Sequence, residues 1–232
     1  MATGKIEILS TREINRELLQ KAALQHINVE VCTFIKIIQG ISQETTALIQ
    51  SLGLQEATVI FTSVNAVQAV TSLLTAAPSW AMFCIGGATK EAVMRCFEHP
   101  AVIATAKSAA LLSEKIIAQR NIKEVIFFCG NRRMDHLPKT LGASGINVRE
   151  IEVYQTEDTP VRIQKEYQGI LFFSPSAVHS FFSVNTIPEH TVLFSIGEST
   201  TAAIAYCCHN TVVTSQWPGE QEMLNRAAAY FK

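Results

Sequence analysis

Short apolar runs alternate along this chain with mixed stretches of helical character. The runs fall at 6–9, 59–61, 81–85, 101–104, 125–129, 170–173, 192–196 and 211–213. Apolar runs of that length suit strands covered on both faces, as in a parallel sheet. The stretches at 65–74, 89–97, 111–119, 134–141, 176–182, 200–207 and 220–231 read as helices, and another helix follows the opening run. Strand then helix, repeated, predicts a doubly wound α/β architecture.

The pattern occurs twice. Phe61-Thr-Ser-Val-Asn-Ala-Val67 resembles Phe172-Phe-Ser-Pro-Ser-Ala-Val178, a shift of 111 (174 − 63 = 111). Ile85-Gly-Gly-Ala-Thr89 resembles Ile196-Gly-Glu-Ser-Thr200 at the same shift (197 − 86 = 111). Two matches with one shift indicate two lobes of one design. The opening Lys5-Ile-Glu-Ile-Leu-Ser-Thr-Arg12 has no partner at that shift and instead resembles Lys123-Glu-Val-Ile-Phe-Phe-Cys-Gly130. The first unit therefore corresponds to the last unit of the middle segment. The expected fold is two similar doubly wound parallel-sheet lobes, one inserted into the other: lobe one at 1–34 plus 157–232, lobe two at 38–152. The two crossings fall on Ile27-Asn-Val-Glu-Val-Cys32 and Val148-Arg-Glu-Ile-Glu-Val-Tyr154, which carry β-branched residues in partial alternation. They predict a two-stranded hinge over 27–37 and 148–157. With no Gly/Ser or Pro-rich linker, that hinge is expected to be structured.

Composition narrows the function. A chain of 232 residues accommodates two lobes, and 48% apolar against 17% charged residues excludes a disordered chain. The net charge of −1 lacks the basic surplus of a nucleic-acid binder. The opening residues lack the apolar stretch of a secretory signal, and no run is long enough to span a membrane, so a cytoplasmic protein is expected. The six cysteines (Cys32, Cys84, Cys96, Cys129, Cys207 and Cys208) form no C-x-x-C pair and read as small thiols in a reducing compartment. Histidines such as His179 and His209 lack ligand spacing, so no metal is expected. No G-x-G-x-x-G or Walker loop supports nucleotide binding. A monomer is the default, since no apolar heptad recurs. No DNA-binding segment is expected on either side of the lobes.

In open α/β sheets, ligands bind beyond the carboxyl ends of the strands, where helices begin with free N–H groups and the positive end of their dipole. The small polar residues of the repeated motifs fall there: Thr62, Ser63 and Asn65; Gly86, Gly87 and Thr89; Ser174 and Ser176; Gly197, Ser199 and Thr200. Each alone reads equally well as structure, because Ser, Thr and Asn are the usual helix caps and Gly lets the chain turn. Four such turns from two facing lobes would line one cleft and suit a ligand with many negative charges, each helix end offering roughly 0.3–1 kcal/mol. Arg12 and Arg132 follow the two equivalent strands and are candidates to pair with a carboxylate; each also reads as an ordinary surface arginine.

In order along the chain, Leu9-Ser-Thr-Arg12, Phe61-Thr-Ser-Val-Asn-Ala-Val67, Ile85-Gly-Gly-Ala-Thr89, Cys129-Gly-Asn-Arg132, Val153-Tyr-Gln-Thr156, Phe173-Ser-Pro-Ser-Ala-Val178 and Ile196-Gly-Glu-Ser-Thr200 resemble the motifs of uroporphyrinogen-III synthases. The likeness runs from about residue 6 to residue 231. It implies two α/β lobes with one inserted, and a reaction without a cofactor. Hydroxymethylbilane, a linear anionic tetrapyrrole, loses its hydroxyl and closes through a spiro intermediate to uroporphyrinogen III with the terminal pyrrole inverted. The resemblance further implies that Tyr154 is the cleft tyrosine, placed to give a proton or hydrogen bond to the departing hydroxyl. It makes Thr200 the cleft threonine, bonding a substrate carboxylate or the leaving group. Ser63, Thr89 and Ser174 are expected to touch substrate, with Gly86 and Gly197 exposing backbone N–H groups. Tyr154 equally reads as a packed tyrosine bonded to a backbone carbonyl. Two other readings stand beside the enzyme: a bilobal module that binds a small polyanion without chemistry, and a catalytically idle relative with a regulatory role.

Overall fold

The computed structural model describes residues 5–231; the ends of the expected first lobe, residues 1–4 and 232, lie outside the described residues. In chain order the elements are β1 (Ile6–Ser10), α1 (Arg16–Leu24), β2 (Ile27–Val31), β3 (Ile35–Ile38), α2 (Gln43–Gly53), β4 (Ala57–Phe61), α3 (Val64–Thr71), β5 (Trp80–Ile85), α4 (Ala88–Cys96) and β6 (Ala101–Ala106). There follow α5 (Ala109–Ile117), β7 (Glu124–Gly130), α6 (His136–Ala143), β8 (Asn147–Asp158), β9 (Gly169–Phe172), α7 (Pro175–Phe182), β10 (Val192–Ser195), α8 (Glu198–Cys207), β11 (Val212–Thr214) and α9 (Glu220–Tyr230). Helix α2 was not expected. Its signals are Ser42, whose hydroxyl accepts from the Thr45 N–H, and the buried Ile49 and Leu52 three positions apart.

The chain divides into two units: residues up to Lys36 together with those from Glu157 onward, and Ile37–Thr156. The chain passes between them within β3 and within β8. The inner unit holds a six-stranded sheet in the order β3-β8-β7-β4-β5-β6, and the outer unit a five-stranded sheet in the order β11-β10-β9-β1-β2. Aligned at the repeat, β6-β5-β4-β7-β8 and β11-β10-β9-β1-β2 are one topology, with parallel pairing throughout both runs.

Two expectations need correction. The two strands at the crossings are β3 and β8, neighbours in one sheet that overlap the expected 27–37 and 148–157, but residues 27–32 take no part in that pairing. They form β2, parallel to β1 over its whole length, while β8 lies between β7 and β3. Burial in β2 alternates, with Ile27 inside and Asn28 and Glu30 outside, as at any sheet edge; alternation reports a half-exposed strand and is silent on its partner. The equivalence of the opening strand to β7 is also off by one. Leu9 lies opposite Ile170, and Ile126 opposite Val59, so Leu9 answers to Ile126, a shift of 117 (126 − 9 = 117) where sequence likeness had set 118 (123 − 5 = 118). Such a slip exchanges the two faces of a strand. Here the true register is visible in which cluster each residue joins.

Each sheet is covered on both faces. In the inner unit Val59, Phe61, Ile126 and Phe128 face one buried cluster, and Ile60, Val125, Phe127 and Leu141 the other. In the outer unit Leu9, Ile170 and Phe172 face one, and Ile8, Leu171 and Phe194 the other. This is why the central strands read as unbroken apolar runs. Large rings fill the inner core: Phe61 stacks on Phe128 with centroids 5.4 Å apart, and Trp80 packs on Phe128 at 5.5 Å while donating to the Leu52 carbonyl at 3.0 Å. Burying each such ring contributes roughly 1.5–3 kcal/mol.

Candidate functional site

The order of strands in an open α/β sheet reverses once, and the crevice at the carboxyl ends there is where ligands bind. In the inner unit the reversal falls between β7 and β4. Ser63 follows β4 and caps α3, its hydroxyl accepting from the Ala66 N–H at 3.1 Å. The same hydroxyl donates to the Tyr154 phenol oxygen at 3.2 Å. Tyr154 comes from β8, and its ring lies over Gly130 at the end of β7. A Cβ on Gly130 would stand 2.5 Å from two carbons of that ring. Burial holds the Tyr154 phenol above its ordinary value, with the Ser63 hydrogen bond acting in the other direction. The phenol is therefore neutral, with its proton in place, at physiological pH. With the Ser63 hydrogen directed at its oxygen, its own hydrogen is left to another acceptor.

The other inner-unit candidates sit at two helix starts. Thr62 precedes the cap and Asn65 lies in the first turn of α3, both half-buried. Gly87 caps α4 at φ +67°, a conformation that suits glycine, and Thr89 is buried in the first turn behind it. Gly86 departs from expectation. Its N–H donates to the Ala106 carbonyl at 2.8 Å, so it closes β5 onto β6 and is not offered to a ligand. Arg132 is exposed in the turn after β7. Its neighbour Arg133 makes ion pairs with Glu150 and Asp135.

In the outer unit the reversal falls between β1 and β9. Ser174 caps α7, accepting from the Ala177 N–H at 3.1 Å, with Pro175 at the first helical position and Ser176 behind it. Arg12, just past β1, lays its guanidinium over the Phe173 ring at 5.1 Å and pairs with Glu220 at 2.9 Å. The second Glu220 oxygen accepts from the Asn15 N–H at 3.0 Å. Arg12 is thus already matched by a carboxylate, although its side chain keeps 51% of its surface. Gly197 caps α8 with an extended backbone, followed by exposed Ser199 and by Thr200 at 1% exposure. Contact between Thr200 and a ligand requires movement of whatever covers it.

The structure adds three features to those that the sequence motifs point to. Gly130 and Asn131 surround Tyr154, and a hydroxyl chain joins Ser195, Thr201 and Thr214 at the ends of β10 and β11, with Thr201 to Thr214 at 2.7 Å. Polar residues closing apolar runs, as in Phe194-Ser195 and Val213-Thr214, were the available signal. Among the described residues no three His, Cys, Asp or Glu side chains gather as a metal site. No helix among them is long and apolar enough to cross a membrane. All six cysteines are free, and burial pushes the thiols of Cys84 and Cys129 up to about 11.

Two sheets of one topology, each with a serine-capped helix at its reversal point, define a duplicated, doubly wound α/β protein with hydroxyl-bearing turns at the carboxyl ends of its strands. Comparison narrows the class. The chain belongs to the uroporphyrinogen-III synthase family: residues 17–225 match the family model described as uroporphyrinogen-III synthase HemD. Its fold is similar to a uroporphyrinogen-III synthetase from Helicobacter pylori 26695, with TM-score 0.66, 15% identity and coverage of 97% of this chain and 99% of that one. It is also similar to a mutant uroporphyrinogen III synthase from the extremely thermophilic bacterium Thermus thermophilus, with TM-score 0.63, 10% identity and coverage of 97% and 98%. Identities so low carry the fold alone. Comparison with curated protein sequences gives no match.

Proposed function

We propose that this chain is an active uroporphyrinogen-III synthase, a cyclising hydro-lyase acting on hydroxymethylbilane. The observation that carries the reading is the half-buried, neutral phenol of Tyr154 with Ser63 bonded to its oxygen, in a chain that matches the family over 17–225. The departing hydroxyl takes a proton from Tyr154 and leaves as water, and the substituted carbon of the terminal pyrrole attacks the cationic azafulvene end with its π electrons, forming the new C–C bond. The spiro intermediate fragments and recloses with that ring inverted, and the proton lost from the ring carbon returns to the Tyr154 phenolate, so that one water is released overall. The bilane ionises and closes to the uninverted type I isomer unaided. The protein's task is therefore to hold one folded geometry and to place hydrogen-bond donors, a positional and electrostatic contribution.

In this reading Tyr154 is the proton donor and Thr200 a hydrogen-bonding partner of a carboxylate or the leaving group. The turns bearing Ser63, Thr89, Ser174, Ser176 and Gly197, with Arg12 and Arg132, contact the acidic side chains. Six free thiols fit a cytoplasmic setting. No observation favours the non-catalytic polyanion binder. The test is to generate hydroxymethylbilane in situ, add the protein, oxidise the products and separate the isomers by chromatography. Predominantly type III product is expected; type I alone, from folded protein, would overturn the reading.

A further inference from the structure

We infer that Gly130 and Asn131 are the positioning residues of Tyr154: the first clears the space its ring occupies, and the second clamps the strand that carries it. The inference rests on the proposed function, since placement of the phenol affects rate only if Tyr154 takes part in the reaction.

Three observations converge. A methyl on Gly130 would lie 2.5 Å from Cε2 and Cζ of Tyr154 and 2.9 Å from its hydroxyl oxygen. A rigid ring cannot yield as the end of an aliphatic chain can, so the whole side chain would have to swing. At Gly142, Gly197 and Gly219 a Cβ would meet nothing within 4 Å. Second, the β7–β8 register skips at this point: Cys129 faces Glu152, but Gly130 faces Tyr154, passing over Val153. In strict alternation Tyr154 would share the outward face of Glu152. The skip turns it instead toward the buried cluster already holding Ile151 and Val153. Such irregularities re-aim side chains.

Third, Asn131 continues the ladder beyond the end of β7. Its Oδ1 accepts from the Thr156 N–H at 2.8 Å, its Nδ2 donates to the Thr156 carbonyl at 3.4 Å, and its backbone N–H donates to the Tyr154 carbonyl at 3.3 Å. The amide side chain does what the next residue of a strand would do, holding β8 on the far side of Tyr154. The ring is thereby bounded below by Gly130 and at its oxygen by Ser63, with its backbone held by Asn131.

The test incorporates 3-fluorotyrosine at the four tyrosines of the chain and follows their ¹⁹F resonances, the Tyr154 signal being assigned by its loss in Tyr154→Phe. In the unaltered chain this signal titrates above free 3-fluorotyrosine. In Gly130→Ala it shifts, its midpoint falls toward the free value, and type III synthesis slows about 10²-fold, the cost of misplacing a reacting group by an ångström. Asn131→Ala moves the signal in the same direction and slows synthesis about three- to tenfold, the worth of a hydrogen bond or two. Should Gly130→Ala fail to fold, pairing it with Tyr154→Ala makes room for the methyl and restores the melting temperature of Tyr154→Ala alone. A Tyr154 signal unmoved by both Gly130→Ala and Asn131→Ala overturns the inference. A signal that moves while type III synthesis is unchanged upholds the positioning and removes Tyr154 from the reaction, so the two readings fail separately.

Discussion

The two units place different chemistry at the same point of the same fold. In the inner unit the reversal of strand order is occupied by neutral groups, the Tyr154 phenol lying over Gly130 and held by Ser63. In the outer unit it is occupied by charge, Arg12 stacked on Phe173 and paired with Glu220. The scaffold is shared down to the capping serines Ser63 and Ser174. What differs are the residues in the turns beside them. Duplication supplied strands, helices and caps twice. It did not fix these side chains, which belong to positions the repeat does not share. Burial separates the two turns further. The phenol is desolvated and stays protonated, whereas Arg12 is half-exposed and its pair with Glu220 is worth at most about 1 kcal/mol.

The comparison can be pressed first at its strongest point, the shared cores. Phe61 and Phe172 are equivalent at the shift of 111 (172 − 61 = 111) and both fully buried. Truncating either to alanine is expected to cost about 3–5 kcal/mol in denaturant unfolding. A loss under about 1 kcal/mol at one of them would show that the two cores are not equivalent supports.

Next comes the phenol. Tyr154→Phe is expected to slow type III synthesis about 10²-fold while leaving the melting temperature nearly in place. Because the folded phenol lies above its ordinary 10.0, the donor form is complete at neutral pH. The folded state keeps its proton where the unfolded chain begins to lose one, so this contribution to stability is full below pH 10 and fades as pH rises through the folded value. A tyrosine-dependent fall in rate between pH 6 and 8 would contradict the burial argument.

Smaller effects follow from the caps. Ser63→Ala and Ser174→Ala each remove a helix cap and should cost about 1 kcal/mol. Only Ser63→Ala also removes a hydrogen bond to Tyr154, so it alone should alter the phenol's titration. Equal titrations in the two variants would leave the inner turn no more specialised than the outer one. Last, Arg12→Gln breaks an exposed ion pair and should change stability by less than about 1 kcal/mol. If Arg12 holds a substrate carboxylate, KM rises with kcat unchanged, and an unaltered KM assigns it to Glu220 alone.

Fold and site were legible to different depths, and the reason is distance along the chain. Apolar runs predicted the central strands because a strand buried on both faces needs no alternation, and β9 and β10 are buried at every position. The caps Ser63 and Ser174 were visible because each bonds an N–H three residues on. Tyr154 entered through family resemblance, and its surroundings did not come with it. Gly130 and Asn131 stood only within the motif Cys129-Gly-Asn-Arg132, which says nothing of the ring they face.

By itself, then, the sequence determined the alternation of strand and helix, the two copies of one design and the serines that open their helices. Each of these is a matter of periodicity or of bonds within one helical turn, and so is written within a few neighbouring residues. Tertiary structure alone decided that β2 pairs with β1, that the opening strand matches β7 one residue away from its apparent alignment, and that Ser63 meets a phenol 91 positions further on. It also decided that the glycine at the end of β7 lies beneath that ring. Such contacts are set by which strands become neighbours and in what register, which depends on how whole faces pack and is not carried by any short stretch of chain.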